Sequence, residues 1–382
     1  MAWPKFVKRH LSFLKNGERV RPSHDKHVEK RRWNLWQLEP SMACNLKCIM
    51  CPWKIFRGQP GNMDVDIWEA LRPYLAEVQS IDFTGGGEPL LQPRLAEWIR
   101  EAKVAGCKTG FLTNGLILNK EMIHNFISAG IDWIAFSIDG ATADIYEKIR
   151  IGSNFKKVCK NVAAVSDLRA GNAPLIMINF VMMVMNFHQI EDIVRLSARL
   201  GVDQVNFKQC DVIRGENGRD YGLFAPQKNR EVRRLEKAVS KARRLAKKLR
   251  IKTTAFAFTP DELPVCAQDP RGSLFVRHDG YVAPCINLAF GGHTTFLGEK
   301  ASIATVHYGR LPDQDLLALW DNISCKFYRE RFSHRVRAHD AVIVNSSFEA
   351  SLPKLRETLQ AAKDAMPEAP PGCNVCHYLY GI

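Results

Sequence analysis

Residues 109–140 read Thr109-Gly-Phe-Leu-Thr113-Asn-Gly-Leu-Ile-Leu-Asn-Lys120-Glu-Met-Ile-His-Asn-Phe-Ile-Ser-Ala129-Gly130-Ile-Asp-Trp133-Ile-Ala-Phe-Ser137-Ile138-Asp139-Gly140. This stretch holds a strand at Thr109–Thr113, a polar turn, and a helix at Lys120–Ala129 stopped by Gly130. A second strand follows at Trp133–Ile138. A strand, a helix and a strand in that order imply a parallel pair joined by a right-handed crossover.

The same alternation extends both ways. Leu35–Glu39 and Ile81–Thr84 read as strands before it, and Leu175–Met185 and Gln204–Lys208 as strands after it. Helices are predicted at Asp64–Val78, Arg94–Ala105, Asn154–Arg169 and His188–Leu200, with a long basic one at Lys228–Arg250. Pro73 should kink or split the first of these. Six strands, each followed by a helix and without a dinucleotide fingerprint, predict an α/β fold: an open, partial (β/α)6 barrel. After residue 251 the strands shorten, Gly and Pro become frequent, and Leu274–Val276 with Gly280–Val282 reads as a hairpin. Helices follow near Asp315–Phe332 and Leu352–Ala365. The expected organisation is an arm over 1–33, a barrel over 34–250, and a smaller α+β domain over 251–382.

The chain has 382 residues, 46% hydrophobic and 25% charged. Such a composition is globular and excludes global disorder. The longest apolar stretch, Leu175 to Met185, is too short to span a bilayer. No secretory signal is recognisable, so a cytoplasmic location is expected. The net charge of +14 is uneven. Residues 1–33 carry ten Lys/Arg against three Asp/Glu, and residues 228–252 carry twelve against two. The arm reads as a solvated tail, with weak contact to a membrane surface as its alternative. The basic helix reads as an outer solvated face. Its charges lack interleaved aromatics, which argues against single-stranded nucleic acid as a partner.

Seven of the eleven cysteines are patterned. Cys44, Cys48 and Cys51 form C-x3-C-x2-C directly after the first strand. Three thiolates in one short loop can hold three corners of a [4Fe–4S] cube and leave one iron open. A structural zinc site wants four closed ligands, and no fourth Cys or His stands at finger spacing here. Polar turns then follow the strands in order. They are Thr84-Gly-Gly86-Gly87-Glu88-Pro89, Leu112-Thr-Asn114-Gly115, Ser137-Ile-Asp139-Gly140 with Arg150 beyond, and Val184-Met-Asn186. In β/α barrels the functional residues lie at the C-terminal strand ends.

The cysteine loop and these turns together resemble the radical S-adenosylmethionine (SAM) superfamily. The resemblance covers about residues 35–210. It implies a [4Fe–4S] cluster on Cys44, Cys48 and Cys51, with SAM completing the fourth iron. It further implies SAM contacts from Gly86, Gly87, Glu88, Asn114, Ser137, Asp139, Arg150 and Asn186. In such enzymes SAM is cleaved reductively to a 5′-deoxyadenosyl radical that abstracts hydrogen, with electrons from a donor such as flavodoxin or ferredoxin.

Cys266, then Gly280 and Cys285 in a G-x4-C pattern, then Cys373 and Cys376, resemble the C-terminal SPASM/twitch extension of one subgroup. That implies an auxiliary [4Fe–4S] cluster on four thiolates; structural zinc is the alternative. Full SPASM domains carry more cysteines, so the twitch type with one auxiliary cluster is expected. The stretch from Arg337 to Pro370 then forms an insertion between ligands, without an assigned role. Cys107, Cys159 and Cys325 read as packing residues. Cys210 closes the sixth strand, where a thiol could donate hydrogen to a substrate radical. The expected activity is an oxidation of a small molecule or peptide. The alternatives are RNA modification, radical epimerisation or peptide maturation, and a non-catalytic scaffold.

Overall fold

The computed structural model describes residues 31–52, 56, 60–210, 221–222, 229–346 and 351–382. Most of the expected basic arm, together with Trp53 and Asp211, lies outside the described residues. The sequence-predicted strands and helices form, with small shifts. Strand β1 is Leu35–Leu38, β2 Ser80–Asp82, β3 Lys108–Thr113, β4 Trp133–Ser137, β5 Leu175–Met182, β6 Gln204–Gln209 and β7 Lys252–Ala255. They are parallel and adjacent in that order. Helices α1 (Val65–Leu71), α2 (Leu95–Val104), α3 (Lys120–Ser128), α4 (Ala143–Ile149), α5 (Phe155–Leu168), α6 (Ile190–Arg199) and α7 (Asn229–Lys248) connect them.

Local chemistry sets these boundaries. Asp64 caps α1 by accepting from Val65 N, and Pro73 converts the rest of the predicted helix into a 3-10 stretch, Arg72–Glu77. Gly130, at φ +82°, ends the turn after α3, with Ile131 N donating to Phe126 O. That left-handed geometry favours glycine. Strand β5 stops at Met182, three residues early, because the chain turns there: Phe187 N donates to Met183 O at 3.0 Å.

Burial alternates along β5. Ile176, Ile178, Phe180 and Met182 are buried, while Met177, Asn179 and Val181 are half-buried. The buried face belongs to the outer core, where Trp68 stacks on Trp98 at 5.1 Å. The other face carries Asn179 between Met177 and Val181. Asn206 donates to Asn179 Oδ1 at 2.8 Å, and Gln204 and Thr254 both donate to Asn206 Oδ1 at 2.7 Å. A two-faced strand in an open barrel therefore separates an apolar layer from a concave wall that carries polar side chains.

The sheet does not stop at residue 250. Strand β7 joins β6, and β8 (Ser273–Val276) runs parallel beside β1. Strand β9 (Tyr281–Ala283) pairs antiparallel with β8, completing the expected hairpin. Short helix α8 (Ile286–Phe290), the hairpin β10–β11 (Gly292–Phe296 and Glu299–Ile303) and edge strand β12 (Gly309–Arg310) follow. The helix expected near 315–332 is two: α9 (Leu316–Asp321) and α10 (Ile323–Asn345), the second capped by Asn322. Helix α10 packs on α11 (Leu352–Asp364). Trp320 lies against Trp33 at 5.7 Å, tying this segment to the start of the barrel.

Candidate functional site

At the C-terminal end of β1 the chain enters the cysteine loop. Cys48 is buried, and Cys44 and Cys51 are half-buried. Two backbone bonds, Lys47 N to Ile151 O and Ile49 N to Ile149 O, pin the loop to the end of α4. Burial pushes the Cys48 thiol up to about 11. Arg150 opposes this, while Cys51 and Cys44 reinforce it. Three thiols near enough to repel one another as thiolates suit a cationic iron–sulfur group, which removes that repulsion and takes their protons.

The glycine turn after β2 is wedged against this loop. Glu88 N donates to Ala43 O at 2.8 Å, and a Cβ at Gly87 would sit 2.3 Å from that same oxygen. Only glycine lets the two backbones approach so closely. The Glu88 carboxylate is buried and accepts from Thr113 Oγ1, Asn114 N at 2.8 Å and Leu90 N at 3.2 Å. Burial raises it to about 7 despite these bonds. Asn114 donates from Nδ2 to Asn45 Oδ1, inside the cysteine loop, at 2.8 Å. Ser137, at the end of β4, is buried.

Arg150 lies beside the loop, its Nη1 3.8 Å from Cys48 Sγ. Its Nε and Nη2 contact Asp139 Oδ2 at 2.7 and 2.6 Å. Asp139 Oδ1 accepts from Val181 N at 2.7 Å. Burial works to lower the Arg150 pKa, but Asp139, Cys48 and Tyr146 together outweigh it and the guanidinium stays charged. Two expected SAM contacts, Asp139 and Asn186, also have partners within the chain. Asp139 is fully buried, and both its oxygens serve Arg150 and β5. Asn186 is fully buried too. Its Oδ1 accepts from Met183 N, and its Nδ2 donates to Asp139 O and Val181 O. These side chains hold the strand ends in place because every polar atom they own faces the chain.

On the concave wall, Asp82 accepts from Thr84 Oγ1 and is raised to about 7 by burial, with Lys208 pulling it down. Lys208 Nζ lies 4.5 Å from the Phe256 ring centre. Gln37, the cross-strand neighbour of Asp82, is buried and donates to Thr84 O; its Oε1 has no partner. Cys210 is buried with Ile149 and Met183, and Ile49 and Met50 of the cysteine loop pack on that cluster.

The second cysteine group also converges. Cys266, Cys285, Cys373 and Cys376 line one cavity, with Leu288 and Phe332 among its other walls. Cys285 precedes α8, and Asn287 Nδ2 lies 3.8 Å from Cys376 Sγ. Burial pushes Cys285 up to about 12, and the neighbouring Cys376 and Cys266 add to the rise. Cys325 does not line this cavity and is a buried residue of the first turn of α10. The helical insertion is bolted on by Arg335, which sequence reasoning missed. That side chain is buried and donates to Leu263 O, Pro264 O and Pro367 O, and pairs with Glu262 at 2.6 Å. Its partners lie two to four residues before Cys266 and six before Cys373, so α10 braces both cysteine segments.

An open parallel barrel with a thiol loop and polar turns at its mouth defines a cofactor-using α/β enzyme. Residues 38–200 match the family model of the Radical SAM superfamily. The chain therefore contains a Radical SAM family-model domain, and the relatives it resembles are SPASM/twitch-type radical SAM enzymes. That domain implies a [4Fe–4S] cluster and SAM as cofactors. The chain is 25% identical over 300 residues to the tungsten-containing aldehyde ferredoxin oxidoreductase cofactor-modifying protein of Pyrococcus furiosus, covering 76% of this chain and 82% of the relative. It is 26% identical over 291 residues to the PqqA peptide cyclase of Ruegeria pomeroyi, covering 74% and 72%. Streptococcus suis SuiB bound to S-adenosylmethionine shares the fold, with a TM-score of 0.58 at 16% identity over 85% of this chain and 71% of that one. Among the described residues no helix is long and apolar enough to cross a membrane.

Proposed function

We propose that this chain abstracts a hydrogen atom from a small-molecule or peptide substrate in an oxidation assisted by one auxiliary [4Fe–4S] cluster. The observation that carries this reading is the pair of separate thiol sets. Three thiols sit at the barrel mouth beside Arg150, and four line one cavity in the C-terminal segment. Four thiols around a cavity fit a cluster better than four ligands closing on a single zinc.

Cys44, Cys48 and Cys51 would hold the SAM-binding cluster, and Cys266, Cys285, Cys373 and Cys376 the auxiliary one. When bound, the first cluster and SAM supply a 5′-deoxyadenosyl radical. The chain's own part is positioning. Gly86, Gly87 and Glu88 receive the SAM amino group, with Asn114 and Ser137 beside it. Arg150, kept charged by Asp139, faces a carboxylate. The concave wall of Asp82, Lys208, Asn179 and Asn206 suits a substrate rich in hydroxyl or amino groups. Asp82, raised to about 7, can take a proton from such a group near neutral pH. The match to a peptide cyclase keeps peptides within the substrate class. A flavodoxin or ferredoxin would supply the electron. Radical epimerisation, with Cys210 as hydrogen donor, is the second reading, favoured by the contact of its cluster with Ile49 and Met50.

The test is a count of iron, sulfide and zinc per chain after anaerobic reconstitution, with a 5′-deoxyadenosine assay on the same sample. About eight irons would support two cubane clusters. About four irons with one zinc would remove the oxidation and keep the radical SAM core. The absence of iron after reconstitution would overturn the whole reading.

A further inference from the structure

Glu39, immediately after β1, is a carboxylate that the catalytic reading leaves unused. It is fully buried. Its Oε1 accepts from Gly86 N at 2.7 Å. Its Oε2 accepts from His278 N at 3.2 Å and meets His278 Nδ1 at 2.9 Å. Its side chain also explains a second glycine of the turn, because a Cβ at Gly85 would lie 2.3 Å from Glu39 Cγ. The turn is thus gripped on both sides: Glu39 holds Gly85 and Gly86, and the backbone of residues 41–43 holds Gly87 and Glu88.

His278 sits at the tip of the β8–β9 hairpin, between Val276 and Tyr281. Strand β9 leads within two residues to Cys285. One buried carboxylate therefore joins the glycine turn at the barrel mouth to the segment that carries the second thiol set. A buried charge persists only when it is paired and hydrogen-bonded, and here both of its oxygens are used.

We propose that Glu39 is a positioning residue for SAM: it fixes the Gly85–Gly87 turn in its binding geometry, and His278 fixes Glu39. The proposal rests on reading that turn as the SAM-binding element. It concerns an acceptor oxygen and not merely a filled volume. Glu39→Gln keeps an acceptor for Gly86 N but turns its amide N–H toward His278 N, which loses its acceptor. Glu39→Met fills similar space with no acceptor.

Two readouts test this. The first is hydrogen exchange of the peptide spanning Gly85–Gly87, measured without SAM. The second is SAM affinity of the cluster-loaded protein by calorimetry. Glu39→Met should speed exchange at Gly86 and weaken SAM binding, each about tenfold or more, as expected for losing a hydrogen bond to a charged group. Glu39→Gln, which keeps the acceptor for Gly86 N alone, should hold exchange at Gly86 within about threefold of wild type and bind SAM more tightly than Glu39→Met. Equal values for the Met and Gln variants would overturn the proposal. Should Glu39→Met fail to fold, Glu39→Asp asks the same question: it keeps the charge but is one methylene too short to reach both partners. Unchanged exchange and affinity in that variant would also overturn it. Wild-type protein that binds no SAM would fail the functional reading instead, while the exchange measurement would still judge the role of Glu39 in the turn.

Discussion

Replacing Asp139 by Asn isolates the energetics of the ion pair beneath the cysteine loop. Asp139 is completely buried, and the Arg150 side chain is 10% exposed. Burial pushes Asp139 upward more strongly than Arg150 pulls it down. As a unit, the pair therefore adds little net stability, because desolvation consumes most of the attraction. The single variants behave differently. Asp139→Asn leaves a buried guanidinium without a countercharge, and Arg150→Met leaves a buried carboxylate. Each should cost about 3–5 kcal/mol. The double variant Asp139→Asn/Arg150→Met removes both charges and should cost no more than either single change. Urea unfolding of all four proteins, followed by far-UV circular dichroism, closes the cycle. Costs that simply add would show that the two charges do not compensate each other, and would refute this account of how Arg150 is held beside Cys48.

Further outcomes follow from the same geometry. Gly87→Ala drives a Cβ to within 2.4 Å of two backbone oxygens, those of Ser41 and Ala43, so it should displace the cysteine loop; loss of SAM binding with retained secondary structure is the expected calorimetric and spectroscopic result. Cys285→Ser should lower reconstituted iron from about eight to about four per chain while leaving SAM binding intact. Asp82 is raised on folding, so its neutral form stabilises the fold below its unfolded pKa, and this contribution is lost as pH rises toward about 7. Asp82→Asn should therefore lose less stability than wild type between about pH 4 and pH 7 in denaturant titrations. Arg335→Met strips four acceptors of their donor, and should destabilise the C-terminal segment and lower the iron content before it affects the barrel.

The strands and most helices were legible because they obey local rules. A period of two or 3.6, a cap such as Asp64 or Asn154, and a stop such as Gly130 all lie within a few residues of what they control. What escaped was either short or long-range. Helix α4 has seven residues, and β7 is a polar Lys-Thr-Thr-Ala with no apolar alternation to betray it. The insertion of β8 beside β1 joins residues far apart in the chain, and no periodicity records a sheet neighbour.

The site divides along the same line. Position at a strand end singled out Glu88, Asn114, Ser137, Asp139 and Asn186, since polar side chains there interrupt an apolar pattern. Position does not reveal direction. Whether an oxygen faces a ligand or the chain depends on which backbone N–H lies beside it, and that N–H often belongs to another strand. Asp139 meets Val181 N from 42 residues away, and Glu39 meets His278 from 239. Glu39 therefore read only as the last residue of a strand, although its carboxylate sets the shape of the turn whose glycines carried the resemblance. The glycines are the visible half of that contact: Gly85 lacks a side chain because the side chain of Glu39 occupies its place.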